Sequence, residues 1–293
     1  MRAFDPRVTP ARADLAAKEL EGKVRAARYV EGRVREVIEP QAPLRQEPRP
    51  DAPLLTEALK GERATIYDAD AEGWAWGQLA ADGYVGWLPA NALGEAGAPL
   101  THKVAALRTF AFPGPSIKMP PLEALPFGAR LAVERMHGRF AVTRSGAYVP
   151  EIHLTPVDAY DADFVAVAER FLGAPYLWGG KTGLGIDCSG LVQIALTACG
   201  MSCPRDSDMQ EAALGTPIAA APDRSDLRRG DLIFWKGHVA IARDGARLVH
   251  ANAFHMAVAV EPIAAALARM RDAGEQVTSV RRIEQPAGAT GPI

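Results

Sequence analysis

Residues 185–200 read GIDCSGLVQIALTACG, a stretch in which a cysteine stands between an aspartate and a serine at the start of an apolar run. Apolar residues then recur at the spacing of one helix face until Gly200, which predicts a helix. If this helix begins at Asp187 or Cys188, the thiol lies on its first turn, where unpaired N–H groups and the helix dipole favour a thiolate. Cys188 is therefore either a nucleophile or a buried, inert cysteine, and a base must be found to decide.

Two of the six histidines supply a candidate base, because they flank one predicted hairpin, HVAIARDGARLVH, from His238 to His250. A two-residue turn at Asp244-Gly245 would place the two imidazoles on opposite faces of the sheet. A three-residue loop, Arg243-Asp244-Gly245 with Gly245 left-handed, would place His238 directly opposite His250 on one face. The second geometry provides a base and a second histidine that orients it.

The composition is that of a folded protein of two or three domains, with 293 residues, 48% hydrophobic residues and a formal net charge of -2. The balanced charge argues against nucleic acid or an anionic membrane as a partner. The N-terminus lacks the apolar stretch of a secretory signal, and the three cysteines do not suggest a disulfide framework, so we expect a cytoplasmic protein. Cys199 and Cys203 lack a second ligand pair at zinc spacing, and we expect neither a metal nor a cofactor.

The pattern of apolar and turn-forming residues changes twice along the chain. The spacing of Leu15, Leu20 and Val24 predicts one amphipathic helix over residues 9–28. Short apolar runs separated by Pro, Gly, Asp and Asn then predict small all-β domains, and later helices followed by an antiparallel meander predict an α+β domain. The predicted organisation is an N-terminal helical segment (1–34), two small β domains (35–95 and 100–156), an α+β domain (160–285) and a tail (286–293).

The two small β domains look like a degenerate internal repeat. GWLP at 86–89 aligns with AYVP at 147–150, and Glu57 aligns with Glu123, whereas Tyr84 has no clear counterpart in the second copy. Both copies resemble bacterial SH3-like barrels, and the repetition strengthens that resemblance. One copy with its tyrosine and one without suggest that the two have different roles.

Four ordered blocks in the last 130 residues resemble the NlpC/P60 family of papain-like cysteine peptidases: FLGAPYLWGGKTGLGIDCSGLVQIAL, CPRDSDMQ, RRGDLIFWKGHVAIA and LVHAN. With the two preceding SH3-like domains, the chain is similar to the subgroup of γ-D-glutamyl-L-diamino acid endopeptidases of the dipeptidyl-peptidase VI type. The resemblance implies a papain-like α+β catalytic domain after two SH3-like barrels. It also implies Cys188 as nucleophile, His238 as general base and then acid, and His250 as the third, orienting residue.

The same resemblance implies a set of substrate-binding residues. Tyr176 would lie near the nucleophile and the oxyanion, Asp187 and Ser189 would flank the nucleophile, and further contacts would come from Asp206, Ser207, Glu57 and Tyr84. A carboxylate and a phenol in the first SH3-like domain suit the free amino group of a peptide. Plainer interpretations stay open: Asp206 as a helix N-cap, Tyr176 and Trp178 as core aromatics, Tyr84 as a barrel core residue and Glu57 as a solvated acid.

The leading hypothesis is a peptidase that cleaves the γ-D-glutamyl–diamino acid bond in small murein peptides such as L-Ala-γ-D-Glu-diamino acid, for cell-wall peptide recycling. No obligate protein partner is evident in the sequence. The alternatives are a secreted hydrolase of intact peptidoglycan, a non-enzymatic binding protein built from SH3-like modules, and an amidase or acyltransferase on the same fold. The presence of Cys188, His238 and His250 together argues against the non-enzymatic alternative.

Overall fold

A computed structural model describes residues 4–221, 224 and 226–284 of the chain. The chain divides after Ala159 into two compact units. The predicted tail, 286–293, lies outside the described residues. In the described part of the chain, no helix has the length and apolar character needed to cross a bilayer.

The N-terminal segment is not the helix predicted over residues 9–28. Leu15 is fully buried in a cluster around Trp76, and the guanidinium of Arg12 lies 4.5 Å and 4.9 Å from the ring centroids of Trp76 and Trp87. These contacts with the following sheet outweigh a helix propensity that is weak in any case. The segment forms two short strands and one 3-10 turn: β1 (Ala16–Ala17), a 3-10 helix (Lys18–Leu20) and β2 (Tyr29–Val30).

A seven-stranded antiparallel sheet follows, in the region predicted as the first SH3-like domain. Its strands are β3 (Arg33–Val37), β4 (Gln41–Arg45), β5 (Leu54–Leu59), β6 (Arg63–Ala69), β7 (Trp74–Leu79), β8 (Val85–Pro89) and β9 (Leu93–Glu95). They are ordered β5-β4-β8-β7-β6-β3-β9. Alternating apolar residues on the inner face bury a compact core that includes Leu44, Leu79 and Leu88.

Three smaller sheets complete the first unit. Their strands are β10 (His102–Val104), β11 (Arg108–Ala111), β12 (Glu123–Pro126), β13 (Arg130–Leu131), β14 (Val133–His137), β15 (Phe140–Thr143), β16 (Tyr148–Pro150) and β17 (Leu154–Pro156). The strand orders of the three sheets are β13-β10-β17, β11-β12 and β14-β15-β16. The aligned repeat motifs share one local structure. In each copy a strand ending in proline (β8, β16) leads into a 3-10 helix (Ala90–Ala92, Glu151–His153) and a short strand (β9, β17). The sequence repeat is therefore also a structural repeat at these positions.

The second unit places helices ahead of an antiparallel sheet. The order β20-β25-β21-β22-β23-β24 describes this six-stranded sheet, and a two-stranded ribbon, β18-β19, precedes the central helix. The elements are α1 (Phe164–Glu169), β18 (Lys181–Thr182), β19 (Gly185–Ile186), α2 (Cys188–Ala198), α3 (Ser207–Ala213), β20 (Thr216–Pro217), β21 (Leu232–Trp235), β22 (His238–Ala242), β23 (Arg247–Asn252), β24 (Ala257–Pro262), α4 (Ile263–Asp272) and β25 (Val277–Arg282).

Helix α2 is the core element of this unit. All of its residues except Thr197 are buried, and it packs against β22 and β23. Because the helix runs into the unit from its first residue, its N-terminus is buried next to the strand that begins at His238. This packing positions Cys188, at the start of α2, against β22, which begins at His238.

Candidate active site

Cys188 is the first residue of α2, so the thiol lies on the first turn as the sequence pattern predicted, and Asp187 is the N-cap. The backbone N–H groups of Ser189 and Val239 both interact with the sulfur of Cys188. Val239 directly follows His238, so the thiol lies against the start of β22. The fold thus brings the predicted nucleophile to the strand that carries the predicted base.

A buried ion pair holds this helix start in place. The guanidinium of Arg205 donates to both carboxylate oxygens of Asp187, at 2.9 Å and 2.7 Å, and the arginine is 1% exposed. Asp187 also accepts hydrogen bonds from the N–H groups of Gly179, at 2.8 Å, and Gly190, at 2.7 Å. The Asp187 carboxylate therefore ties the helix start to the preceding loop.

Glycine is needed at position 190 for this arrangement. A Cβ atom there would lie 2.5 Å from the carbonyl oxygen of Gly180 and 2.9 Å from an Asp187 oxygen. Both neighbours belong to the buried network and cannot move away freely. The GIDCSG motif is thus explained in part by packing behind the nucleophile.

Asp187 and Ser189, which were predicted to contact substrate, both have buried hydrogen-bond partners within the protein. Ser189 Oγ accepts a hydrogen bond from Arg205 at 2.8 Å and donates to Asp187 at 3.3 Å. Both residues are only 6% exposed. Arg205, which sequence analysis did not single out although it lies in the CPRDSDMQ block, is the residue that connects them.

The predicted base pair is present as one hydrogen-bonded pair of imidazoles. His238 Nε2 lies 2.9 Å from His250 Nδ1, so the two rings share a face of the sheet. The register differs from the prediction, however. Ile241 pairs with Val249, which puts His250 level with Ala240 rather than with His238.

The hairpin loop explains the different register. Three residues, Asp244 to Ala246, connect Arg243 to Arg247, whose backbone N–H and C=O groups are hydrogen-bonded at 2.9 Å. The predicted Arg243-Asp244-Gly245 loop is wrong by one residue, and Gly245 has no positive φ. Instead, the Asp244 carboxylate accepts from the N–H groups of Ala246 and Arg247, each at 2.8 Å, and stabilises the turn.

Two further residues extend the histidine pair. His250 Nε2 lies 2.8 Å from the carboxylate of Glu261 on β24, and Arg269 on α4 contacts both oxygens of that carboxylate, at 2.5 Å and 2.6 Å. Neither residue was predicted from the sequence. A single acid in the apolar run AVAVEPI was the available signal for Glu261, whereas nothing in the sequence relates Arg269 to the site.

Burial keeps the thiol and its base uncharged in the free protein. Burial, with the nearby Asp187 charge, raises the pKa of Cys188 to about 12, against the opposing effect of the N–H groups of Val239 and Ser189. Burial, then the proximity of His250 and Arg269, lowers the pKa of His238 to about 3. The thiolate expected from the helix dipole is therefore not the resting form, because loss of solvation outweighs the dipole.

Tyr176 lies beside the nucleophile. Burial, and then the charges of Cys188 and Asp187, raise the pKa of its phenol well above the usual range, so it keeps its proton. Its backbone N–H donates to the carbonyl of Met256 at 2.9 Å, which fixes the strand-like segment that carries it. The interpretation as a core aromatic fails for the neighbouring Trp178, which is 68% exposed.

The remaining predicted residues fall in three places. Asp206 is the N-cap residue of α3, but its side chain makes no capping hydrogen bond, and Ser207 is the buried first residue of that helix. Tyr84 is 4% exposed and packs in the core of the first sheet. Glu57 lies on β5 and is buried, so its interpretation as a solvated acid is wrong.

In the described residues, one group has the composition of a metal site: His250, His255 and Glu261 bring ligand atoms within 4.8 Å of one another. His250 and Glu261 are already hydrogen-bonded to each other, and the guanidinium of Arg269 contacts the Glu261 carboxylate. That positive charge disfavours a divalent cation at this position.

Comparison with protein families decides the assignment. A model described as "NlpC/P60 family" matches residues 173–274, which contain the thiol and both histidines, and a model described as "Bacterial dipeptidyl-peptidase Sh3 domain" matches residues 44–93. The chain belongs to the NlpC/P60 family. It is an NlpC/P60 peptidase with an N-terminal bacterial SH3 domain.

Named relatives of this NlpC/P60 peptidase agree. It is 29% identical to a gamma-D-glutamyl-L-lysine dipeptidyl-peptidase of Bacillus cereus, over 71% of this chain and 70% of that one, and 31% identical to a Bacillus subtilis protein of the same name, over 57% and 60%. It is 37% identical to dipeptidyl-peptidase 6 of Lysinibacillus sphaericus, over 41% and 44%. The matches to the last two span less than two thirds of those proteins.

Among solved structures, an NlpC/P60 family protein from Bacillus cereus superposes with a TM-score of 0.70, at 20% sequence identity, over 87% of this chain and all of that one. At this identity the likeness concerns the fold.

Replacing Arg205 by Met should destabilise the protein by about 3–5 kcal/mol, because the variant leaves the Asp187 carboxylate buried without its counter-charge. The matched control is Arg229→Met in the same unit, which removes half-exposed ion pairs with Asp163 and Glu169 and a hydrogen bond to the carbonyl of Arg243, and should cost about 1 kcal/mol. Urea unfolding followed by tryptophan fluorescence measures both. Equal, small losses would contradict a structural role for Arg205.

The raised pKa of Cys188 predicts the pH dependence of its alkylation. Since the thiolate is the minor form below the pKa, the rate of Cys188 alkylation by iodoacetamide should rise about tenfold for each pH unit between pH 7 and 9, without a plateau. Mass spectrometry of the labelled peptides, with Cys188→Ala to identify labelling at Cys199 and Cys203, gives the rate. A plateau below pH 7 would mean that the free enzyme holds a thiolate–imidazolium pair.

Proposed function

We propose that the protein is a cysteine peptidase that hydrolyses the bond between γ-D-glutamate and the next diamino acid in small murein peptides with a free N-terminal L-Ala. The observation that carries the proposal is the position of Cys188 at the buried start of α2, against the strand where His238 bonds to His250 at 2.9 Å. The relatives named gamma-D-glutamyl-L-lysine dipeptidyl-peptidase support the substrate class.

In the proposed reaction Cys188 gives its proton to His238 and attacks the γ-carbonyl carbon of D-glutamate. The carbonyl oxygen becomes an oxyanion, to which the protonated phenol of Tyr176 can donate a hydrogen bond. His238 then protonates the departing amine of the diamino acid, leaving a thioester on Cys188. Water, deprotonated by the same histidine, hydrolyses the thioester and restores the thiol.

The first SH3-like domain would bind the free amino group of L-Ala. The name dipeptidyl-peptidase, carried by the relatives and by the family model over residues 44–93, denotes cleavage two residues from an amino terminus. That range contains Glu57, a buried carboxylate, and Tyr84, a buried phenol. We propose that this carboxylate and this phenol form an ammonium clamp.

Two further parts of the proposal follow from this reading. A peptide still attached to muramic acid has no free amine, so the enzyme would act in the cytoplasm on peptides already released from the glycan. Residues 100–156 would be a second SH3-like domain, which the shared strand, 3-10 helix and strand of the two repeats support. A wall hydrolase or an amidase of the same fold would instead act on sacculi or on non-peptide amides.

The proposed activity is tested with L-Ala-γ-D-Glu-L-Lys and its diaminopimelate analogue, with products identified by mass. We expect L-Ala-D-Glu and the free diamino acid, and no product with Cys188→Ala or His238→Ala. His250→Ala should retain more activity than His238→Ala, because an orienting group does not transfer the proton. Release of peptide from intact sacculi, with none from these tripeptides, would contradict the proposal.

The ammonium clamp predicts a strong preference for a free amino terminus. Acetylation of L-Ala removes the positive charge that the clamp would bind and adds an acetyl group at that place, so kcat/KM should fall by about two orders of magnitude or more. Tyr84→Phe should reduce the ratio of kcat/KM for the free peptide to that for the acetylated peptide. Glu123→Gln, at the aligned position of the other repeat, is the matched control for Glu57→Gln and should leave the ratio unchanged. Equal cleavage of both peptides by the parent would contradict the clamp but not the peptidase activity.

A further inference from the structure

Glu261 lies where a hydrogen-bond acceptor decides which nitrogen of His250 carries a proton. Strand β24 pairs with β23 so that His250 is level with Ala259, and Glu261 is the next residue of β24 on the same face. Its carboxylate is 7% exposed and lies 2.8 Å from His250 Nε2. An ionised carboxylate can only accept, so the proton of neutral His250 is on Nε2.

The tautomer of His250 in turn determines the tautomer of His238. With its proton on Nε2, His250 presents the lone pair of Nδ1 to His238, 2.9 Å away, and can only accept there. His238 must then donate from Nε2. Its Nδ1 is left as the basic nitrogen, which is the protonation state that a general base needs.

Arg269 determines whether this arrangement stays neutral. Its guanidinium contacts both oxygens of Glu261 and stacks on the ring of Phe254, 4.2 Å from the ring centroid. A carboxylate without this counter-charge would stabilise a proton on His250 Nδ1. A doubly protonated His250 donates at both nitrogens, so His238 would have to accept at Nε2 and would lose the tautomer that serves as a base.

We propose that Glu261 and Arg269 are positioning residues of the peptidase: Glu261 fixes the tautomer of His250, and Arg269 neutralises Glu261 so that both imidazoles stay uncharged and His238 keeps Nδ1 as its basic nitrogen. The proposal rests on the proposed function for its catalytic meaning. It places four residues in one chain of contacts, from the base on β22 to a charge on α4.

The titration behaviour of these groups is consistent with that role. Burial alone would raise the pKa of Glu261, but the hydrogen bonds of Arg269 and His250 outweigh burial and lower the pKa to about 2. Burial lowers the pKa of His250 despite its bond to Glu261, and Arg269 and His255 act in the same direction. The titratable or charged groups that act on the imidazole pair from the surrounding elements are Glu261, Arg269 and His255.

Arg269→Met is the first test. Loss of the guanidinium leaves the Glu261 charge uncompensated and raises the pKa values of both histidines, so the acid limb of kcat/KM against pH should move up by about one pH unit or more. Arg271→Met on the same helix removes the same charge from an exposed position and should leave the limb in place. Profiles are measured with L-Ala-γ-D-Glu-L-Lys from pH 4 to 9. Identical profiles for the two variants would overturn the proposal.

The second test does not depend on activity. In the full-length Cys188→Ala protein labelled with 15N-histidine, NMR should show both His238 and His250 as the Nε2–H tautomer at pH 7. Adding Glu261→Ala should abolish this preference at His250. A Nδ1–H His250 in Cys188→Ala, or an unchanged spectrum after Glu261→Ala, would overturn the proposal even if Arg269→Met does not fold. If the parent cleaves no murein peptide, the proposed function fails while the tautomers still test this inference.

Discussion

The site depends on a buried ion pair that does not take part in the chemistry. Arg205 and Asp187, both withdrawn from solvent, connect the start of α2 to the loop before it and to Ser189. A buried pair of charges gives little net stability, but it is highly directional, because each unpaired hydrogen bond would be costly. Cys188 lies between Asp187 and Ser189, the two residues that Arg205 holds by hydrogen bonds. The backbone that presents the thiol is thereby held against β22.

The burial that orders the site also makes charged forms of its thiol and imidazole groups unfavourable. Loss of solvation favours the neutral thiol and the neutral imidazole. The proton therefore has to move between two neutral groups, and the geometry around the imidazoles matters more than their charge. His250, Glu261 and Arg269 act on that geometry in sequence, each through a contact shorter than 3.0 Å.

The first unit shows how a repeat can diverge while its local structure persists. The strand, 3-10 helix and strand that follow the aligned motifs occur in both copies. The cores differ, and only the first copy buries a tyrosine at the position of Tyr84. The N-terminal segment packs on the aromatic cluster of that first copy through Leu15 and Arg12. Those aromatic rings are thus partly covered by the chain itself.

Local patterns in the sequence determined the elements that carry the chemistry. An apolar run of period 3.6 was enough to place Cys188 on the first turn of a helix. Two histidines flanking a strand–turn–strand pattern were enough to place them on neighbouring strands, with the length of the loop deciding whether they share a face. These features depend on neighbours within a few residues along the chain, which is why they can be read from it.

Only the tertiary structure decided the rest. The Asp244 turn shifted the hairpin register, the burial of Leu15 replaced a predicted helix, and Arg205 became the buried hydrogen-bond partner of Asp187 and Ser189. Glu261 contacts His250 from a neighbouring strand, and Arg269 contacts Glu261 from a helix that the sequence pattern did not predict. Each of these outcomes depends on which distant groups are buried together, because the energy of a charge or an apolar side chain is set by its surroundings, and periodicity along a chain carries no information about them.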